Sequence, residues 1–127
     1  MELDANKLLH EYLPDKTNEQ LGLSFNGGDR IIYVNDEVVN KLGYSSPDDI
    51  ISLHPYMLSP EYQPDGQLSS IKALQLIEKA NVTGKCDFDW SHQKLDKTII
   101  KCHIYLFSLN DPRYSANMFA VWEFYDN

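Results

Sequence analysis

Residues 86–92 read Cys-Asp-Phe-Asp-Trp-Ser-His and residues 100–106 read Ile-Lys-Cys-His-Ile-Tyr-Leu, and these two stretches decide the fold. In each, apolar or aromatic side chains recur at every second position, which is typical of a β-strand with one buried face. A polar turn near residues 94–97 separates the two stretches, so we predict an antiparallel hairpin. One register keeps every apolar residue on the same face. It pairs Cys86 with Leu106, Phe88 with Ile104, Trp90 with Cys102 and His92 with Ile100.

Working outward, the sequence predicts three more strands. Residues 118–125 are apolar at both odd and even positions, so elements must cover both faces of this strand. In residues 21–25, leucine and phenylalanine alternate with small or polar residues, which predicts a half-buried strand. Residues 30–34 predict its hairpin partner across a tight turn at residues 26–29.

Helices are predicted between these two groups of strands. Residues 35–43 begin with an asparagine cap and end at a glycine, and residues 46–49 start a second, short helix. A longer helix is expected to begin at a cap on Ser69 or Ser70 and to end by Gly84. Its apolar positions recur at three-residue steps, at Ile71, Leu74, Ile77 and Ala80.

This order of elements predicts an α+β domain: a five-stranded antiparallel sheet with short helices and one longer helix on one face. We place the domain at residues 21–127, preceded by an N-terminal helix and linker in residues 1–20, outside the core. Because the helices cover only one face of the sheet, the N-terminal helix or a second copy of the domain is expected to cover the other.

The composition narrows the class of partner. The 127 residues carry a net charge of −8, which disfavours binding to nucleic acid or to an anionic membrane surface. No apolar run approaches the ~20 residues of a membrane helix, and the N-terminus lacks a signal-peptide pattern. We therefore expect a cytoplasmic protein without direct membrane insertion.

Several stretches resemble PAS domains, the sensory modules of bacterial signalling proteins. Two are generic, an Arg-Ile-Ile-Tyr-Val-Asn run at residues 30–35 and Leu-Gly-Tyr-Ser-Ser at residues 42–46. Residues 58–69, Leu-Ser-Pro-Glu-Tyr-Gln-Pro-Asp-Gly-Gln-Leu-Ser, and residues 88–92 are similar to segments of one branch of the family. The resemblance covers about residues 21–126. It departs from the family at one turn, where the usual Asp-Gly is replaced by Asp96-Lys97.

The resemblance implies a non-catalytic sensor that binds a small molecule between sheet and helices and signals to an effector domain in the same or another chain. A kinase, a cyclic-dinucleotide enzyme and a chemoreceptor remain open as effectors. The residues expected to line the ligand pocket lie on or near the helix-facing side: Phe88, Trp90, His92, Cys102, Ile104, Tyr56, Leu74 and Ile77.

Two other functions remain open. The first is an interaction module whose pocket is filled by its own side chains and which forms a homodimer through the outer sheet face and the N-terminal helix. The candidate dimer residues are Trp122, Phe124, Tyr105, Leu8 and Tyr12, with Phe119 and Tyr125 as alternatives to the first two. The second is a small enzyme, which would need two titratable groups inside the pocket, and only His92 clearly qualifies.

Cofactor and metal sites are disfavoured by the positions of the histidines and cysteines. Flavin photosensors that the chain resembles carry a cysteine in an Asn-Cys-Arg-Phe-type helix, whereas Cys86 and Cys102 lie in predicted strands. Haem sensors that the chain resembles place the ligating histidine on the long helix or its approach. That helix holds none here, so haem ligation would fall to His54 or His92. In the predicted register the two cysteines are four residues out of step, roughly 13 Å at ~3.3 Å per residue, which excludes a disulfide or shared metal ligation. Asp87 and Asp89, on the outer face, are expected to be solvated or paired with Lys101.

Overall fold

The computed structural model describes residues 4–16, 21–27, 29–109 and 116–125. The helices are α1 (Ala5–Tyr12), α2 (Asp36–Leu42) and α3 (Ser69–Thr83), with 3₁₀ turns at Pro47–Asp49 and Pro55–Leu58. The strands are β1 (Leu21–Gly27), β2 (Arg30–Val34), β3 (Lys85–Gln93), β4 (Ile99–Ser108) and β5 (Met118–Phe124). They form one antiparallel sheet in the order β2-β1-β5-β4-β3, which confirms the predicted α+β architecture. The predicted linker residues 17–20, turn residue Gly28 and the terminal residues 126–127 lie outside the described residues.

The register of the β3–β4 hairpin is the predicted one. Trp90 pairs with Cys102 and Cys86 with Leu106, and the two other predicted pairs are also present. The two cysteines therefore face different partners four positions apart along the hairpin. The register is determined by side-chain polarity, because a slip of one residue would turn every apolar side chain of β3 to the other face.

The central position of β5 explains why both of its faces are apolar. It pairs with β1 on one side and β4 on the other, and six of its seven residues are buried. The strand ends at Phe124, one residue before the predicted end. β1 is likewise buried on both faces, so the prediction of a half-buried strand is wrong there.

Helices α2 and α3 cover one face of the sheet, which we call the helix-facing side. The Asn35 side chain accepts a hydrogen bond from the Val38 amide at 3.3 Å and so caps α2, as predicted. Helix α3 ends at Gly84 in the left-handed region with φ 95°. It begins at Ser69 with Leu68 as its cap residue and no side-chain cap, so the prediction of a serine cap is wrong.

The buried stripe of α3 also differs from the predicted one. Ala73 and Ala80 are buried and Ile77 is partly buried, whereas Leu74 is 55% exposed. Each residue of an α-helix advances about 100° around the axis, so positions at three-residue steps drift by about 60° per step. Alternating steps of four and three residues stay on one face of a helix, and they connect Ala73, Ile77 and Ala80, which form the buried stripe.

Helix α1 covers the opposite side of the sheet, the outer face. Its Leu8 and Leu9 side chains are buried in a cluster with the outer-face residues of β1, β4 and β5. Aromatic rings continue this cluster, with Tyr12 stacked on Phe107 at 4.8 Å and Phe25 on Phe119 at 5.0 Å between ring centroids. The sequence analysis expected either the N-terminal helix or a second copy of the domain to cover this face. In the structure the N-terminal helix covers it.

Three of the residues predicted for a dimer face are buried within the chain, which corrects that assignment. Trp122 and Phe124 lie on the helix-facing side, because alternation along β5 places them with Met118 and Ala120. Leu8 is buried between α1 and the sheet. Only Tyr12 and Tyr105 among the five keep appreciable exposure. None of the described helices has the length and apolarity needed to cross a membrane.

Candidate functional site

A cavity of about 60 Å³ lies between the helix-facing side of the sheet and the helices. Six of the eight predicted pocket residues line it: Phe88, Trp90, His92, Ile104, Tyr56 and Ile77. The other two do not. Cys102 is fully buried in the core beside the cavity, and burial raises the pKa of its thiol. Leu74 lies on the exposed side of α3.

Other lining residues were not predicted. They come mainly from strands β1 and β5, with additional residues from β2, β4 and the helices: Ser24, Asn26, Ile31, Pro55, Ala73, Leu106, Ala120 and Trp122. The signal available in the sequence was the presence of Ser24 and Asn26 in an otherwise apolar strand. The alternation places Ser24 on the polar side of a half-buried strand and Asn26 in the hairpin turn, but β1 extends through Gly27 and both residues are buried.

His92 is the most unusual side chain of the cavity wall. It is 4% exposed, and its ring is stacked parallel to that of Trp122 with 4.1 Å between centroids. The Nδ1 atom lies 3.2 Å from the carbonyl oxygen of Leu58, which can only accept, so Nδ1 carries the proton. Nε2 is buried and has no hydrogen-bond partner among the described residues. Burial lowers the pKa of His92 to about 3, so the ring is neutral at physiological pH.

Each of the two tryptophans that line the cavity donates a hydrogen bond from its indole N–H. The acceptor of Trp90 lies outside the cavity, and the acceptor of Trp122 lines it. Nε1 of Trp90 donates to the hydroxyl of Ser59 at 2.9 Å, and Nε1 of Trp122 donates to the hydroxyl of Ser24 at 3.1 Å. A buried indole N–H without an acceptor is destabilising, so these bonds fix both ring positions. The walls of the cavity are therefore held in place by hydrogen bonds.

The twelve-residue segment that resembles one PAS branch, residues 58–69, is hydrogen-bonded to β3. In addition to the Leu58 and Ser59 contacts, Gln63 is bound to the backbone of Ser91. Its Oε1 accepts from the Ser91 amide at 2.9 Å, and its Nε2 donates to the Ser91 carbonyl at 3.1 Å and to the Ser69 hydroxyl at 2.8 Å. The glutamine amide thus replaces a neighbouring strand at this sheet edge. The segment packs against β3 through side-chain hydrogen bonds, which propensity alone would not reveal.

A second polar group lies on the outer face, beyond the region that α1 covers. His103 approaches Asp89 through Nδ1 and Asp87 through Nε2, each at 2.8 Å, and Tyr125 donates to Asp89 at 2.6 Å. The carboxylates pair with His103 rather than with Lys101, because His103 lies directly across from Asp89 in the ladder. Hydrogen bonds to the two carboxylates raise the pKa of His103 despite partial burial, and they lower that of Asp89.

Comparison with known proteins identifies the fold. No protein-family model and no curated protein matches the chain. Among solved structures it is similar to the PAS domain of a LuxR-family transcriptional regulator from Burkholderia thailandensis in complex with ethanol, with a TM-score of 0.65 and 17% identity over 96% of this chain and 97% of that one. A PAS domain from Colwellia psychrerythraea has a TM-score of 0.68 and 14% identity over 93% and 97%.

A third structure places the same fold inside a larger protein. The blue-light activated histidine kinase of Erythrobacter litoralis matches with a TM-score of 0.66 and 16% identity, over 85% of this chain and 34% of the kinase. At such low identity these structures show the fold alone. The fold is that of PAS domains, as the sequence resemblance implied.

Proposed function

We propose that this chain, which has the PAS fold, is a non-catalytic sensory module of a bacterial signalling protein. A small molecule binds in the cavity beside His92, and its presence is communicated to an effector domain in the same or another chain. The observation that carries the proposal is the cavity itself, which lies between sheet and helices. One of its lining residues, His92, has a buried imidazole nitrogen without a partner in the described part of the chain. The proposed sensor unit spans residues 21–127, with the N-terminal helix docked on it.

The cavity residues support binding rather than catalysis. Acid–base chemistry at neutral pH needs a group that titrates near that pH. Burial holds the pKa of His92 far below this range. Three further titratable side chains, Asp87, Asp89 and His103, lie on the other face of the sheet and so cannot act in the cavity.

The proposed signalling context rests on the fold and on the segment in residues 58–69. A PAS-fold region forms about a third of the Erythrobacter kinase, which shows how such a domain can be joined to an effector. For this chain we propose a cytoplasmic location and leave the effector class open. Flavin and haem remain disfavoured, since a cavity of about 60 Å³ is small beside the ~300–1,000 Å³ typical of larger ligands.

An interaction module that forms a homodimer is the second candidate. It is favoured by the small volume of the cavity, much of whose wall is formed by the large rings of Trp90, Trp122 and Phe88. The partly exposed Tyr12 and Tyr105 would take part in the dimer contact. In this case the PAS fold would respond to a protein partner and not to a ligand.

Native mass spectrometry of the freshly purified chain, together with its absorbance spectrum, separates these candidates. The sensor proposal predicts a copurifying or added small molecule on the wild-type chain, and its loss from Ala120→Leu, which fills the cavity. The matched control is Ile99→Leu, at an exposed position of β4 outside the cavity, which should retain the molecule. A ligand-free dimer, or a ligand that Ala120→Leu keeps, would contradict the proposal.

A further inference from the structure

We infer that the cavity takes a small, uncharged molecule that donates a hydrogen bond from an O–H or N–H group to Nε2 of His92. This inference rests on the proposed function, because it names the chemical class of the molecule that the cavity binds. The class follows from three properties of the cavity: its unused hydrogen-bonding atom, its charge and its size.

The unused atom is an acceptor. The Leu58 carbonyl takes the proton of His92 Nδ1, and the neutral ring then presents a lone pair at Nε2. Nδ1 is turned toward Leu58 and one ring face toward Trp122, so Nε2 is the polar atom through which this cavity-lining ring can accept a hydrogen bond from a ligand. A buried acceptor without a donor is costly, and a ligand O–H or N–H removes that cost.

The two indole N–H groups of the cavity do not serve this acceptor. The indole N–H of Trp90 is bonded to Ser59 and that of Trp122 to Ser24. Both indole donors are therefore engaged, whereas the imidazole acceptor has no partner among the described residues. At His92, a molecule with a donor complements the wall better than one that only accepts.

The charge of the wall excludes ions. Within the described part of the chain, no Asp, Glu, Lys or Arg lines the cavity. An anion or a cation would lose its hydration there without gaining a counter-charge, and the neutral imidazole supplies none. The ligand is therefore uncharged.

The size of the cavity limits the ligand to a short chain. One water molecule needs roughly 10–15 Å³ by this measure, so about 60 Å³ accommodates about four to six non-hydrogen atoms. The cavity wall includes the apolar side chains of Ile31, Ile104 and Leu106. A short alkyl group with one hydroxyl or amide N–H, such as a small alcohol, fits both requirements.

Three probes with four non-hydrogen atoms each separate these requirements. 2-Propanol is neutral and donates, acetone is neutral and only accepts, and acetate is an anion. Each is titrated into the full ¹⁵N-labelled chain while backbone amide and imidazole resonances are followed by NMR. For such small molecules we expect millimolar dissociation constants, with 2-propanol binding about tenfold or more tightly than acetone. We expect acetate not to bind, and the His92 Nε2 resonance to move with 2-propanol only.

Two variants test the role of His92. His92→Phe keeps a ring against Trp122 but removes the acceptor, so the preference for 2-propanol over acetone should fall to about onefold. His103→Phe, a control on the outer face, should leave the preference unchanged. If His92→Phe does not fold, the wild-type comparison of the three probes and the Nε2 resonance decide the question.

Other results would overturn the inference. These are equal binding of 2-propanol and acetone, preferential binding of acetate, or no binding of any probe, which would leave water in the cavity. If native mass spectrometry then finds a larger copurifying molecule that Ala120→Leu loses, the sensory proposal stands and only the ligand class is wrong. If it finds none, both fail.

Discussion

The two faces of the sheet bury their residues in different ways. Under α1, the outer face is closed by apolar and aromatic contacts, with Phe25, Phe107 and Phe119 stacked beneath Tyr12. The helix-facing side instead buries several polar groups, including His92 and Gln63, and leaves a cavity of about 60 Å³. Dense packing stabilises a fold, whereas unfilled volume and a buried polar atom without a partner do not. This difference is the reason for proposing a binding site on the helix-facing side.

Truncation of an outer-face ring is expected to have the largest effect on stability. Phe119 is fully buried at the centre of the aromatic cluster, so Phe119→Ala should lower the free energy of unfolding by about 3–5 kcal/mol. Chemical denaturation followed by circular dichroism measures this loss. The exposed Ile99 provides a control, since Ile99→Ala should change stability far less. A loss below about 1 kcal/mol for Phe119→Ala would show that the outer face is not tightly packed.

Near the helix-facing side, stability should depend most on the hydrogen bonds that join the segment 58–69 to β3. Gln63→Ala leaves the buried Ser91 amide and carbonyl without their partner, and we expect a loss of about 2–4 kcal/mol in unfolding free energy. Gln67→Ala is the matched control, because Gln67 is exposed and its side chain donates a hydrogen bond to the nearby, exposed Asp65. Equal unfolding free energies for the two variants would mean that the segment does not depend on the Gln63 bonds.

Adding a larger side chain should change the free energy of unfolding in opposite directions on the two faces of the sheet. Ala120→Val adds volume beside the cavity and is expected to stabilise by about 0.5–1 kcal/mol. Ala116→Val adds the same atoms to the packed outer cluster and is expected to destabilise by about 1–3 kcal/mol. Thermal and denaturant unfolding of the pair test the contrast directly. Destabilisation of similar size in both variants would remove the distinction between the faces.

The part of the outer face that α1 does not cover should contribute to stability in a pH-dependent way. The folded-state pKa of His103 is raised, so its pairing with Asp87 and Asp89 contributes fully below the ordinary pKa of histidine. The contribution is lost as pH rises through the folded pKa. The lowered pKa of Asp89 keeps that carboxylate charged across this window.

The unfolding free energies of the wild type and His103→Gln, measured near pH 5.5 and near pH 8.5, give this contribution. We expect the difference between the two proteins to be larger at the acidic pH by no more than about 1 kcal/mol, because the pair is partly solvated. His92→Gln is not a suitable control, since His92 lines the cavity. A difference that grows at alkaline pH would refute the assignment.

A substitution that touches neither face should have the smallest effect. Lys97 occupies the turn position where the PAS family usually has glycine, and it adopts φ 78° in the left-handed region. Lys97→Gly should therefore stabilise by up to about 1 kcal/mol, because glycine relieves this strain at some entropic cost. Lys97→Ala retains the β-carbon and should give no gain. Thermal unfolding distinguishes the two, and equal midpoints would exclude strain at this turn.

Sequence alternation predicted the strands in their order along the chain, the β3–β4 register and the side of the sheet on which Phe88, Trp90, His92 and Ile104 lie. The resemblance to PAS domains added Tyr56 and Ile77 to the pocket. The features predicted from alternation depend on the polarity of near neighbours in the chain and on the two-residue period of a strand. The same reasoning misplaced Leu74, because three-residue spacing only approximates the helical period. It also missed Ser24 and Asn26, since a polar residue in a central strand is not distinguishable from an exposed one without its neighbours.

Only the tertiary structure decided which element covers each face and which polar atom lacks a partner. Trp122 lines the cavity because β5 lies between β1 and β4, and α1 covers the outer face because an apolar stripe fits the cluster around Phe119. Nε2 of His92 has no partner among the residues that the structure describes, and the tautomer that makes it an acceptor depends on Leu58, 34 residues earlier in the chain. Whether a residue is buried and whether a polar atom is paired depend on contacts with residues far away in the sequence. A local sequence pattern therefore cannot predict them.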